Sequence, residues 1–383
     1  MSSFRGTILK QRYRLLEQLC KFPDRGVYIA QDCAREKRLV AIKEIKQTIL
    51  DDWASEDIPE LIAAIEREPV LLAQLAHPQI PQYYDHFEED DAWYLVMELV
   101  DGDELRRWLS KALPDESLWQ ASSKERTMKL LAVAIQLCDV LDYLHTHNPV
   151  LLHRDIKPSN IMVTPQGKVD LIDFGIAALL PPGKTGGAFW GLTPGYAAPE
   201  QERGEWTTTQ TDIYNLGVTL SCLLAGQHST ENATSEPFTP PETIQPAALR
   251  TLLTQMTEQE KDVRPGRAKL IGAMFRDIFT ELQGHPCTDV QIRQLLASPS
   301  ATYRTRGTPV TYYQGQTVWY QFRLPTKRCP RLDVPAKITC IRSQSYGPDV
   351  EVTFVNPHIS IKEQRWINPS HLWKLSANNA KEG

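Results

Sequence analysis

Leu151-Leu152-His153-Arg154-Asp155-Ile156-Lys157-Pro158-Ser159-Asn160-Ile161-Met162-Val163 places an acid, a base and an amide within six residues, between two apolar runs. The flanking runs have the length and composition of short buried strands, so the polar residues between them fall on a loop held at both ends. Taken alone, an aspartate before a loop is a cap or turn former, and a lysine beside a strand is a solvated edge residue. Only partners elsewhere in the chain can give these residues a chemical task.

Such partners occur in order along the sequence: Val40-Ala41-Ile42-Lys43, then Glu68, then Asp173-Phe174-Gly175, then Ala198-Pro199-Glu200. Each string is common by itself. Together with the loop at His153 to Asn160, at these spacings, they resemble the motif set of protein kinases over roughly residues 13 to 280. The resemblance implies an α+β, two-lobed kinase fold over 13–282, with a small lobe at 13–99 and a large lobe at 100–282. The wording Gly191-Leu192-Thr193-Pro194-Gly195-Tyr196-Ala197-Ala198-Pro199-Glu200-Gln201 is similar to that of bacterial, particularly cyanobacterial, members.

In that family, phosphoryl transfer from ATP requires positioning and neutralisation of the phosphate charge. The resemblance implies that Lys43 reaches the α- and β-phosphates, held by Glu68, and that Asn160 and Asp173 bind magnesium through hard oxygen atoms. Lys157 would meet the γ-phosphate, and Asp155 would orient or accept the proton of the attacking hydroxyl. Leu19, Gly26, Val27, Ala41, Met97, Glu98, Val100 and Met162 are the further positions expected around ATP. Thr193 matches the threonine that contacts the catalytic aspartate and lysine. Asp212 matches the acid that braces the catalytic loop, and Arg264 the partner of Glu200. Lys157, two residues after Asp155, is the serine/threonine pattern, so protein serine and threonine hydroxyls are the expected acceptors. Arg154 implies an activation segment ordered by a phosphate, and Thr185 is the one hydroxyl between Ile176 and Leu192. Autophosphorylation there is the expectation.

Two places depart from the family. Between the first two strands the pattern G-x-G-x-x-G is replaced by Leu19-Cys20-Lys21-Phe22-Pro23-Asp24-Arg25-Gly26-Val27, so the glycine positions hold Cys20, Phe22 and Arg25. Glycine lets backbone approach phosphate with no Cβ in the way; Lys21 and Arg25 offer charge in its place. Pro69 follows Glu68 directly and is expected to kink the helix that carries it. Neither departure touches Asp155, Asn160 or Asp173, which favours an active enzyme over a scaffold that binds but transfers nothing.

Composition is that of a globular protein, and 383 residues suit two domains. The apolar stretch Leu130 to Leu144 carries Gln136, Asp139 and Asp142 and reads as a half-buried helix, not a membrane span. Seven dispersed cysteines without a C-x-x-C pair point to free thiols and a cytoplasmic location. In the small lobe, Tyr13 to Leu19, Val27 to Gln31, Leu39 to Ile45 and Tyr94 to Leu99 are predicted strands, and Ile58 to Leu75 a helix. Gln227 to Pro246 reads as a surface loop and 283–305 as a linker.

The net charge of −5 is uneven: from residue 301 onward there are 12 Lys/Arg against 5 Asp/Glu, and before it 30 against 42. Residues 306–375 contain strand candidates at Gln316 to Tyr320, Lys337 to Ile341 and Val350 to Phe354, with turns at Tyr346 to Asp349 and Asn368 to Leu372. They resemble a small all-β barrel of the Src-homology-3-like or Tudor-like kind. Trp319, Tyr320, Trp366 and Trp373 are expected chiefly to fill its core. The tail is expected to dock on the acidic kinase domain or a protein partner; nucleic-acid binding is not expected.

Overall fold

Alternation of buried and half-buried residues builds the first layer. In the computed structural model, which describes residues 6–35, 38–52, 55, 58–113, 123–175, 178–180, 193–226, 238–297 and the later strands named below, six antiparallel strands form one sheet. They are β1 (Ile8–Leu9), β2 (Tyr13–Lys21), β3 (Arg25–Asp32), β4 (Arg38–Lys46), β5 (Tyr83–Glu89) and β6 (Ala92–Glu98), in the order β1-β2-β3-β4-β6-β5. Tyr28 and Ala30, Val40 and Ile42, and Tyr94 and Val96 bury the same face with Tyr13 and Leu15. The opposite face carries Val27 and, across from it, Lys43. Strand β5, Y-Y-D-H-F-E-E, has too little apolar periodicity to announce itself. It forms an edge, where charged residues discourage further pairing.

Helix α1 (Ile58–Leu72) ends three residues before the expected Leu75 and contains Pro69. The proline does not end the helix. Leu71 and Leu72 beyond it are buried in the core of the second lobe, and Ala73 N–H still bonds Pro69 O at 3.0 Å. Burial at the helix's end offsets the one hydrogen bond that proline removes.

The second lobe follows Gly102, where a Cβ would lie 2.6 Å from Val163 O, so only glycine allows this approach. It comprises β7 (Asp103–Glu104), α2 (Leu105–Ala112), α3 (Lys124–Thr146), β8 (Val150–Leu152), β9 (Ile161–Val163), β10 (Val169–Leu171), β11 (Ala178–Leu180), α4 (Pro199–Glu202), α5 (Thr209–Leu224), α6 (Ala247–Met256) and α7 (Ala268–Gln283). Helix α3 is central, not half-buried as its sequence suggests: Leu130 to Cys138, Val140, Leu141 and Leu144 are all buried, by α5 and α7 and by β8 and β10. Gln136 can sit inside because it donates to Gly167 O (3.1 Å) and accepts from Val169 N (3.2 Å).

The expected linker at 283–305 contains a helix, α8 (Asp289–Leu296), capped by Thr288 and anchored through buried Ile292 and Leu296. Lys129 donates to Leu295 O at 3.2 Å. Gly167 has φ +77°, and a Cβ there would stand 1.9 Å from Arg293 O, so α8 rests directly on this turn. The helix belongs with the second lobe. Of the loop expected at 227–246, residues 227–237 lie outside the described residues.

Beyond α8, β12 (Ser300–Thr305) pairs with β13 (Thr308–Tyr313). A five-stranded antiparallel sheet then runs in the order β17 (Arg365–Ile367), β16 (Gly347–Phe354), β15 (Leu332–Gln344), β14 (Thr317–Phe322), β18 (Leu372–Lys374). Gly347, Pro348 and Asp349, expected in a turn, are strand residues paired with Gln344, Ser343 and Arg342, and proline is tolerated there at a strand's start. Trp319 and Trp373 are register partners. The expected turn at Asn368 falls on residues outside the described set. Among the described residues no helix is long and apolar enough to cross a membrane.

Candidate active site

Strand β4 delivers Lys43 to the face of the sheet that looks toward the second lobe. Its Nζ lies 2.8 Å from Glu68 Oε2, 3.0 Å from Glu68 Oε1 and 2.7 Å from Asp173 Oδ1. Glu68, on α1, also accepts Phe174 N–H at 3.2 Å. Burial alone would lower the Lys43 ammonium, but the two carboxylates outweigh it and keep the lysine charged. For Asp173, burial pushes upward and the Lys43 ammonium, with Gly175 N–H, pulls the carboxyl far below its ordinary value. Burial raises Glu68, and Lys43 reverses this only in part. One ammonium between two carboxylates leaves an excess of negative charge facing the cleft.

Asp173 has φ +64°, a left-handed conformation that aims its carboxylate at Lys43 while Phe174 is buried against His153, ring centroids 4.9 Å apart. The loop from His153 to Asn160 is held from beneath by Asp212, fully buried in the first turn of α5. Asp212 accepts from His153 N (3.0 Å), Arg154 N (2.7 Å) and His145 Nε2 (2.8 Å). Burial lowers the Arg154 guanidinium to about 10, with Asp212 opposing and Arg67 adding to the shift.

Above this brace the polar residues converge. Asp155 Oδ1 accepts the Thr193 hydroxyl at 2.7 Å, and Oδ2 receives Asn160 Nδ2 at 2.8 Å and Lys157 Nζ at 2.7 Å. Lys157 also donates to Thr193 Oγ1 at 2.7 Å. Asn160 gives its amide protons to Asp155 O and Oδ2, so its own carbonyl oxygen is the atom left to face a cation. Asp173 and Asn160 thus offer hard oxygens, few in number, as suits an ion that keeps water and phosphate ligands. No cluster of three His, Cys, Asp or Glu able to form a closed metal cage occurs among the described residues.

Of the positions expected around ATP, Ala41 pairs with Met97 on β6 and Val27 with Lys43, while Met162 on β9 pairs with Glu104. Glu98 accepts Gln82 N at 3.2 Å, and Val100 accepts Gly102 N at 3.1 Å. Leu19 falls at a bulge of β2 and is exposed. Gly26 faces the other way: a Cβ there would meet the Tyr28 ring at 3.1 Å, on the far side of the sheet from Lys43. Its missing side chain makes room for Tyr28 and opens no approach from the cleft. Thr185 lies outside the described residues.

Glu200 and Arg264 form a buried two-armed pair, 2.7 and 2.9 Å, with Thr211 as a third donor at 2.7 Å. Gln201, beside the recognised Glu200, had no assigned role. It bonds Arg154 O (2.8 Å), Ala198 N (2.9 Å) and Asn215 Nδ2 (2.8 Å), and so ties the Ala198–Gln201 stretch to the loop from His153 to Asn160.

A family profile described as protein kinase domain matches residues 26–280, two thirds of the chain. The chain belongs to the protein kinase family. The kinase domain is 33% identical over 228 residues to a probable serine/threonine-protein kinase PknB of Lactococcus lactis, covering 58% of this chain and 33% of that protein. It is 32% identical over 225 residues to the serine/threonine-protein kinase PrkC of Bacillus subtilis, covering 58% and 32%. Serine/threonine-protein kinase C of Synechocystis is 34% identical over 232 residues, covering 57% and 40%. The chain therefore spans about a third to two fifths of the length of these curated relatives.

Proposed function

We propose that this kinase transfers the γ-phosphate of ATP to serine or threonine hydroxyls of proteins, itself included. The observation that carries this is the joint placement of Lys43–Glu68–Asp173 and Asp155–Lys157–Asn160–Thr193 on one cleft. Lys43 would hold the α- and β-phosphates, and Lys157 the γ-phosphate. Asp155, whose oxygens already accept from a hydroxyl at 2.7 Å, would orient the attacking hydroxyl of a substrate. Asp173 and Asn160 would hold magnesium, whose charge offsets that of the transferring phosphates. The names of the relatives support serine/threonine acceptors.

Thr185 is the proposed autophosphorylation site. A phosphate there would be met by Arg154, whose guanidinium already feels the charge of Arg67. Phosphopeptide mapping of active protein that finds Thr185 unmodified overturns this assignment. For the tail, the strand order β17-β16-β15-β14-β18, a meander whose last strand returns beside its first, supports a Src-homology-3-like barrel. Its excess of Lys/Arg supports docking on the acidic kinase domain or on a protein partner. The dispersed thiols support a cytoplasmic site of action.

A second reading, a scaffold that transfers nothing, is favoured by the glycine-poor hairpin between β2 and β3. Transfer of labelled γ-phosphate by the full-length protein to itself and to a basic protein, beside Asp155→Asn, separates the two. Incorporation lost in the variant supports the kinase. Absence from folded wild type supports the scaffold.

A further inference from the structure

The β2–β3 hairpin, where the family places its phosphate-cradling glycines, has few backbone donors to offer at its tip. The ladder runs to Lys21↔Gly26, and Phe22 N–H then donates to Arg25 O at 2.8 Å. Pro23 has no N–H. Lys46 N–H donates to Asp24 O at 2.8 Å, so the β3–β4 ladder reaches the tip as well. This is a tight hairpin, laddered on both sides nearly to its tip. It is not the open run of amides that forms an anion nest.

Side chains on the cleft face tell a different story. Val27 pairs with Lys43 and Arg25 with Ile45, and residues paired across a ladder, like alternate residues along it, share a face. Lys43 reaches Glu68 and Asp173 from that face, so Arg25 projects over the same cleft one pleat nearer the tip. Cys20, paired with Val27, agrees with this placement. Burial pushes its thiol up, and it feels the charges of both Arg25 and Asp173. The Arg25 guanidinium lies over the Phe22 ring at 5.3 Å, and its ion pair with Asp24 is loose at 3.9 Å. With 60% of its side chain exposed, it is a forked cation carried on an aromatic support above the site of the phosphates.

We propose that Arg25 is a nucleotide-binding residue: its guanidinium grips the phosphates of ATP in place of the backbone amides of a glycine-rich loop. The guanidinium fork matches two phosphate oxygens at once, and a tight hairpin can present it without bending its backbone. Two of the substituted glycine positions, Phe22 and Arg25, are then one device, the ring setting the height of the cation. The inference rests on the kinase reading of the cleft.

The test is calorimetric titration of full-length protein, with magnesium, by ATP, ADP and adenosine, for wild type, Arg25→Gly and Arg25→Lys. Arg25→Gly is the decisive variant because it restores the residue type the family has at that place. ATP is expected to bind about ten-fold or more weakly to Arg25→Gly, the scale of a lost charge-assisted hydrogen bond. Adenosine should bind unchanged, and Arg25→Lys should recover part of the loss. ATP binding to Arg25→Gly as tight as wild type, or tighter, overturns the proposal while leaving the kinase reading intact. Equal losses for ATP and adenosine overturn it too, because the damage then lies in the sheet. Wild type that binds no ATP overturns both.

Discussion

Thr193 donates its hydroxyl to Asp155 Oδ1 at 2.7 Å, across 38 residues of sequence. The same oxygen of Thr193 receives Lys157 Nζ at 2.7 Å, so one hydroxyl holds both the aspartate and the lysine in place. Thr193→Val keeps the shape and removes the hydroxyl. It is expected to lower kcat by about ten- to a hundred-fold, the worth of one or two hydrogen bonds to charged groups. Thr193→Ser should restore most of the rate. Steady-state kinetics on both variants, with melting temperatures showing an intact fold, checks this.

Glu68→Gln removes one of the two carboxylates that Lys43 bridges, while the amide oxygen can still accept Phe174 N–H. The lysine then swings toward Asp173. KM for ATP is expected to rise several-fold, with a smaller fall in kcat, because the change alters phosphate positioning more than the acceptor side. An unchanged KM would show that Asp173 alone positions Lys43.

The Glu200–Arg264 pair is buried on both sides, and Arg264 also donates to Glu258 O and Gln259 O. Arg264→Leu strands the Glu200 carboxylate inside and should cost about 3–5 kcal/mol in urea unfolding. Glu200→Gln combined with Arg264→Leu should recover part of that loss, because the uncompensated charge is gone.

Asp170 is buried, and burial lifts its carboxyl to about 6 against the pull of Lys168. The unfolded value is about 3.9, so the native state holds a proton between these limits that the unfolded state releases. Stability from this group is therefore complete below about pH 4 and is lost as pH rises through about 6, a change of up to about 3 kcal/mol. The stability of Asp170→Asn relative to wild type should improve steadily between those pH values. A difference that stays flat or moves the other way rules out this titration.

Gly167→Ala forces a side chain into Arg293 O at a backbone φ of +77°. A loss of about 2 kcal/mol or more is expected from strain and lost packing together. Hydrogen exchange should show protection of residues 289–296 falling before that of α3.

Residues that act through neighbours in sequence were the most legible. The loop from His153 to Asn160 and the Asp173-Phe174-Gly175 turn keep order and spacing, since their chemistry needs several groups within one short stretch. Asp212, Glu200 and Arg264 were legible because each sits inside a longer recognisable string. Gly26, one place past the last glycine position of the pattern, was expected beside ATP; sequence says nothing about which face its missing side chain serves, and only the ladder reveals that Tyr28 claims the space. Helix α8 is only eight residues long, and nothing in the sequence says which two of its four apolar residues, Ile292 and Leu296, are buried, so it does not outweigh the proline and polar residues around it. Helix α3 looked half-buried because Gln136 counts as polar in any pattern, yet it is satisfied inside by backbone groups of another segment. Partnerships across long sequence separations are invisible to periodicity.

The seat of α8 on Gly167 decides where this protein can be cut. A catalytic fragment ending at Gln283, where α7 stops, would uncover the apolar surface that Ile292 and Leu296 seal, and such a fragment should be prone to self-association. Ending it after Ala297 keeps the seal. Three peptide units then separate Ala297 from Ser300 of β12, a leash of at most about 11 Å. The start of the tail's first hairpin therefore stays within that distance of the end of α8.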